Sequence, residues 1–270
     1  MTREFIKNYL KDYWGKSENF KRNLVKEYLQ ILILSFLYSK AKYRNLIFYG
    51  GSCLRFCFGL DRLSEDLDFV DLKKKINFEE LKKNLIIFFE KETDLKPEIK
   101  VQKFRVYLKF PVLEELGLAK NNQSNLLFLK IEIFKGFNFC SSFKIQIIPV
   151  FKFGKSVLIR TFNLPTLMAT KLRAILFRKW TKTDKKGKVL IKVKGRDYYD
   201  LMWYIQKGIK PNLKCLEMKT EKELKEKLLK IIKQLDAKSI KLDLEALIED
   251  KNFIRDLSKN FKNILIEKLK

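Results

Sequence analysis

Apolar positions near the N-terminus recur with a helical period. Leu24, Tyr28, Ile31, Leu32 and Phe36 fall on one face, and Leu29, Ile33, Leu34 and Leu37 make other sides apolar too. Residues 1–45 therefore predict helix, buried against more than one neighbour. The run Asn45-Leu46-Ile47-Phe48-Tyr49 stops at Gly50-Gly51 and predicts a buried strand feeding a turn. From Ser52 to Phe58 the pattern allows a short helix with Ser52 near its N-cap, broken by Gly59-Leu60-Asp61. A second strand is expected over Asp66 to Val70. A helix should run from an Asn77 N-cap to about Lys91, with Glu79 and Glu80 in its first turn.

A strand-rich middle follows. Ile99 to Phe110, Leu126 to Phe134 and Phe143 to Ile148 read as strands, with a polar loop over Lys120, Asn121, Asn122, Gln123 and Ser124. Pro149 is expected to end the third of them. Beyond Pro165 the period returns to helical, with Leu167, Lys171, Ala174 and Arg178 in step. A basic insert then intervenes: Lys182, Lys185, Lys186, Lys188, Lys192, Lys194 and Arg196 against a single Asp184, with Gly187 as a hairpin tip. Helix resumes from Arg196 to Gln206. After Pro211 the tail is lysine-rich and helical, with breaks near Asp236 and Asp250. The expected organisation is an α+β (mixed α/β) fold: a part over 1–155 with leading helices and a small mixed sheet, then a helical part over 156–270.

Net charge changes this picture most. At +26, the chain points to a polyanionic partner, with RNA the first candidate. Much of the excess is lysine beside abundant Ile, Asn and Phe, which an AT-rich genome also produces. The absence of histidine removes the usual general base and any Ser-His or Cys-His nucleophile. The cysteines, Cys53, Cys57, Cys140 and Cys215, form no CxxC pair and read as buried reduced thiols. No stretch reaches the length of a membrane span, and the N-terminus lacks a signal-peptide core, so a cytoplasmic protein without membrane contact is expected.

Chemistry concentrates at Gly50-Gly51-Ser52 and Asp66-Leu67-Asp68. The glycine turn lies between a strand and a helix, where successive N–H groups and the helix dipole favour an anion. Spacing of i, i+2 in a strand puts both aspartates on one face, where they repel unless a cation lies between them. Carboxylates for Mg2+ beside a turn for the phosphates make a phosphoryl or nucleotidyl transfer site. Glu132, inside an alternating strand, is a third metal carboxylate, faces solvent, or pairs with a lysine. Lys171 could neutralise a triphosphate, although a surface lysine is the plainer reading, and Arg178 shares its face. Asp197 complements a helix dipole, fixes Lys171, or acts as a base.

Tyr49-Gly50-Gly51-Ser52-Cys53-Leu54-Arg55 and Arg62-Leu63-Ser64-Glu65-Asp66-Leu67-Asp68-Phe69 resemble the signature of the AbiEii/AbiGii toxin family. These are polymerase-beta-like nucleotidyltransferases of type IV toxin–antitoxin, or abortive infection, systems. Thr170-Lys171-Leu172-Arg173-Ala174 and Arg196-Asp197-Tyr198-Tyr199-Asp200-Leu201 resemble the family's later lysine and aspartate motifs, in the right order. The resemblance implies a nucleotidyltransferase domain over 1–155 and a helical domain over 156–270 carrying the later motifs. It implies nucleotide binding by Gly50, Gly51, Ser52, Arg55, Ser64 and Lys171. Asp66, Asp68, Lys171 and Asp197 would be catalytic, and Asp66 and Asp68 would hold Mg2+, with Glu132 as a candidate third ligand.

The expected reaction is transfer of NMP from an NTP to an acceptor, with the tRNA 3′ end first among acceptors and an antitoxin as a protein partner. Two other readings stand beside it: nucleotidylation of a protein or of a small molecule such as an antibiotic, and a silent module that binds RNA or the antitoxin.

Overall fold

The computed structural model describes residues 2–120, 122–178, 180–184 and 186–269. Asn121 of the polar loop and Lys185 of the basic insert lie outside the described residues. The chain forms two compact units: Met1–Gly59, Leu63–Phe137 and Ile145–Thr161 in one, Leu60–Arg62, Asn138–Lys144 and Phe162–Lys270 in the other.

In the first unit, α1 (Thr2–Lys11) and α2 (Glu18–Ser39) precede β1 (Ile47–Tyr49) and α3 (Gly50–Phe58). Then come β2 (Asp66–Val70), α4 (Phe78–Glu92), β3 (Glu98–Gln102), β4 (Arg105–Pro111), β5 (Leu126–Phe134), β6 (Ile145–Lys152) and β7 (Lys155–Phe162). The expected N-terminal helix is two helices. Ser17 caps the second, accepting from the Phe20 N–H, and starts a new helix where the first had frayed into turns. The expected strand from Ile99 to Phe110 is a hairpin, turning at Lys103, which adopts a φ of 55°. The third strand does not stop at Pro149 but runs on to Lys152. It is the outermost strand, where a missing N–H costs no ladder bond on the open side.

Among the described residues, β1 to β7 form one mixed sheet in the order β3-β4-β5-β2-β1-β7-β6. The β2–β5 pair is parallel, while β1–β2 and β4–β5 are antiparallel. Strand alternation sorts the faces. Leu67 and Phe69 of β2, Ile131 and Ile133 of β5, and Val106 and Leu108 of β4 are buried on one side. Burying each such side chain contributes roughly 1.5–3 kcal/mol. The opposite parity carries Asp66, Asp68, Lys130, Glu132 and Arg105. The β2 register cannot slip by one residue without exchanging these two sets.

The second unit contains α5 (Leu164–Phe177), the hairpin strands β8 (Lys182–Thr183) and β9 (Val189–Ile191), and α6 (Gly195–Gln206). After these come α7 (Glu221–Ile232), α8 (Ala237–Leu244) and α9 (Lys251–Leu269). The hairpin expected at Gly187 is present: Gly187 has a φ of 82°, and Asp184 accepts from the N–H groups of Lys186 and Lys188. Asn163 caps α5, and Asp236 caps α8 with bonds from Lys238 and Ser239. The expectation of four reduced thiols fails for two of them. Cys140 and Cys215, 75 residues apart, form a disulfide, while Cys53 and Cys57 are free. No spacing rule links Cys140 to Cys215; only the folded path brings them together. No helix among the described residues is long and apolar enough to cross a membrane.

Candidate active site

The first unit places the glycine turn and the paired aspartates side by side. Tyr49, the last residue of β1, lies opposite Asp68 in the antiparallel ladder. The chain then enters α3 at Gly50, so Tyr49 rather than Ser52 occupies the N-cap position. Ser52 has another task. Its hydroxyl donates to the Asp66 carbonyl, which ties the first turn of α3 to the start of β2. Gly50 has a φ of 81°, and a Cβ there would overlap Asp68 Oδ2 and lie 3.2 Å from its Cγ. Only glycine permits both the backbone angle and this approach. The Asp68 carboxylate therefore lies against the N-terminus of α3, whose dipole favours negative charge.

Across the parallel ladder, Asp66 faces Lys130 and Asp68 faces Glu132. Lys130 Nζ lies 3.2 Å from Asp66 Oδ2 and 2.8 Å from Glu132 Oε1. Arg105 on β4, opposite Glu132, donates from Nε to Glu132 Oε1 at 2.7 Å. Burial opposes the Lys130 charge, but Asp66 and Glu132 outweigh it, and the ammonium titrates above its ordinary value. Burial raises the Tyr49 hydroxyl well above its usual value, helped by Asp68 and Glu132.

The donor chemistry of Asp66 and Asp68 suits a hard divalent ion. Glu132 sits with them but already carries two cations. Among the described residues, no three His, Cys, Asp or Glu side chains are grouped to hold a metal ion. The structure thus supplies a carboxylate pair, with the third carboxylate engaged elsewhere.

Arg55 and Ser64 sit one layer out. Arg55 Nε donates at 2.6 Å to Glu27, a carboxylate buried within α2 that also meets Lys152 at 3.0 Å. The Ser64 carbonyl accepts from Gln30 Nε2 at 3.0 Å. Both contacts anchor the turn and the approach to β2 onto α2.

The second unit gathers the later motifs. Lys171 Nζ lies 2.8 Å from Asp197 and 2.8 Å from Asp200. Asp197 also pairs with Arg178. Asp200 accepts from Arg62, Nε to Oδ1 at 2.7 Å and Nη2 to Oδ2 at 2.6 Å, with both side chains buried. Burial raises the cost of the Asp197 charge, yet Lys171 and Arg178 hold its carboxyl below the ordinary range. Burial likewise works against Lys171, but Asp197 and Asp200 lift it above its usual value. Lys194 is pushed down by burial and by Arg196 and Arg178. It lies over the Trp180 ring, 5.5 Å from the centroid. Arg178, Trp180, Lys192, Lys194, Asp197 and Tyr198 line a small cavity of about 50 Å³.

Sequence reasoning placed Asp66, Asp68, Lys171 and Asp197 in their elements, and paired Lys171 with Asp197 as one of its alternatives. It missed Lys130 and Arg105, and it named Arg62 and Asp200 within the motifs without pairing them. Lys130 and Arg105 were each legible as a lone charge in an alternating strand, but their partners depend on register.

A family model for the nucleotidyl transferase AbiEii toxin of type IV toxin–antitoxin systems matches residues 35–268. No curated protein matches the chain. Of solved structures, JHP933 from Helicobacter pylori is similar at 20% identity, covering 94% of this chain and 95% of that one, with a TM-score of 0.48. A candidate nucleotidyltransferase from H. pylori is also 20% identical, over 91% and 95% of the two chains, with a TM-score of 0.47.

Proposed function

Because the chain belongs to the AbiEii family of nucleotidyltransferase toxins of type IV toxin–antitoxin systems, we propose that it transfers a nucleoside monophosphate from an NTP to the hydroxyl of a tRNA 3′ end, releasing pyrophosphate. One observation supports this most: Asp66 and Asp68 share a strand face, with Asp68 set against Gly50 at the entry of α3. Asp66 and Asp68 would hold Mg2+. When bound, that ion supplies Lewis-acid stabilisation of the phosphoryl oxygens and activation of the acceptor hydroxyl.

The chain's own residues do the positioning. The N–H groups at the start of α3, around Gly50, Gly51 and Ser52, suit the NTP phosphates. The Ser52 bond to the Asp66 carbonyl keeps that turn in register with the carboxylates. Arg55 and Ser64 act through Glu27 and Gln30, fixing the elements that carry the site. By its family motif Lys171 would contribute a cation for phosphate, and it stands in a network with Asp197 and Asp200 rather than as a lone charge. Asp197 sets that charge. Positioning and electrostatics carry most of such a transfer, which suits a chain without histidine.

A tRNA acceptor fits the net charge of +26 and the cations on and beside the β8–β9 hairpin. Trp180 with Lys192, Lys194 and Arg178 offers both a stacking face and phosphate contacts. With the family's type IV toxin–antitoxin setting, this reading implies action in the cytoplasm, in abortive infection, under control of an antitoxin.

The test is incubation of the purified chain with Mg2+, each labelled NTP in turn and total tRNA, read on a denaturing gel. Label entering tRNA with one NTP, and lost in Asp68→Ala, is the expected result. Label entering protein instead reassigns the acceptor; label entering nothing sinks the transfer reading.

A further inference from the structure

Three carboxylates and two cations share one half-buried face of β2, β5 and β4. Lys130 is the hub of this cluster. It bridges Asp66 and Glu132 at 3.2 and 2.8 Å, while Arg105 holds the same Glu132 oxygen at 2.7 Å. Side-chain exposure of Glu132 is 12% and that of Lys130 is 26%, so these pairs are shielded more than ordinary surface pairs. Two carboxylates bracketing one ammonium is the arrangement a metal ion would otherwise impose.

We propose that Lys130 is a built-in cation of the carboxylate face: the site takes a single divalent ion on Asp66 and Asp68, and Glu132 serves as the counter-ion of Lys130 and Arg105 rather than as a ligand. The charge balance supports one ion. Among these five groups, Asp66, Asp68 and Glu132 against Lys130 and Arg105 leave one net negative charge. One divalent ion turns the face moderately positive, ready for phosphates. A second would sit within a few ångström of two fixed cations and the first ion, with its third carboxylate already engaged. Lys130 also competes with the incoming ion for Asp66, so it sets the affinity of the site. In transfer, its ammonium supplies positive charge that requires no ion to be recruited.

This inference rests on Asp66 and Asp68 being the ligands, and the two ideas fail differently. The experiment is a Mn2+ titration of the full chain, without nucleotide, followed by the electron paramagnetic resonance of the free aquo ion. The wild type should bind one Mn2+ per chain, and Asp68→Asn should lose it. Lys130→Met should bind about tenfold more tightly or take up a second ion, because a unit charge a few ångström away is removed. Lys130→Arg, which keeps the charge, should titrate as the wild type does. Lys130→Gln replaces Lys130→Met if the latter does not fold. Two ions on the wild type, or a charge-removing variant that titrates like it, overturns the role of Lys130. No binding by the wild type, or binding unchanged in Asp68→Asn, overturns the ligand assignment and this inference with it.

Discussion

Asp68 stands in the space that a side chain on Gly50 would occupy. The two residues are 18 apart, and the close approach is made by β1 turning into α3 beside β2. Gly117 separates the backbone cost from the contact. It too has positive φ, 66°, but a Cβ there meets nothing within 4 Å. Gly117→Ala should cost about 1–2 kcal/mol, the penalty of a left-handed alanine. Gly50→Ala should cost more and abolish transfer, and the excess should vanish in an Asp68→Ala background. Urea unfolding of the four variants checks this; equal losses at both glycines contradict it.

The Arg62–Asp200 pair is buried and bidentate, spanning 138 residues of sequence. Removing Arg62 strips Asp200 of its bidentate partner and leaves it sharing Lys171 with Asp197, at a cost of about 3–5 kcal/mol. Arg62→Met should therefore unfold at markedly lower urea than the wild type. The double variant Arg62→Met/Asp200→Leu should recover part of the loss, since two apolar groups then replace two ions while Lys171 keeps Asp197 as its partner. A loss below about 1 kcal/mol in Arg62→Met would show that the pair is solvated.

Stability should depend on pH at both ends through Lys171 and Asp197. The folded Asp197 carboxyl titrates below its unfolded value, so its contribution is present above about pH 4 and is lost as pH falls through the folded value. The folded Lys171 ammonium titrates above its unfolded value, so its contribution is complete below about pH 10 and is lost as pH rises through the folded value. Between these limits the network is intact. Lys171→Met should lower the melting temperature across the neutral range and flatten the alkaline limb of a Tm–pH profile. An alkaline limb as steep as in the wild type would show that Lys171 does not titrate there.

RNA binding should report on the hairpin cations. Replacing Lys182, Lys186, Lys188 and Lys192 with glutamine should weaken tRNA binding at low salt. Each lysine that truly meets a phosphate should reduce the slope of log K against log salt by about one. Filter binding across a salt series gives the number directly. A slope equal to that of the wild type would place the RNA elsewhere.

Local patterns were legible because their causes are local. Asp66 and Asp68 share a face because strand side chains alternate, and Gly50-Gly51 marks a turn because glycine admits positive φ. The cap at Asn77 and the hairpin at Gly187 follow from similar short-range chemistry. Pro149 misled because its effect depends on position: a proline that would interrupt a central strand is tolerated on the outermost one.

By itself the sequence determined which residues could carry chemistry: the glycine turn, the i, i+2 aspartates, the missing histidine and the lysine surplus. The tertiary structure alone decided their partners. Lys130 meets Asp66 and Glu132 through the β2–β5 register, Arg62 meets Asp200 across 138 residues, and Cys140 meets Cys215 across 75. The physical reason is that an ion pair or a disulfide depends on distance in space. That distance is set when the apolar faces of the strands and helices are buried together, a non-local event that no spacing along the chain encodes.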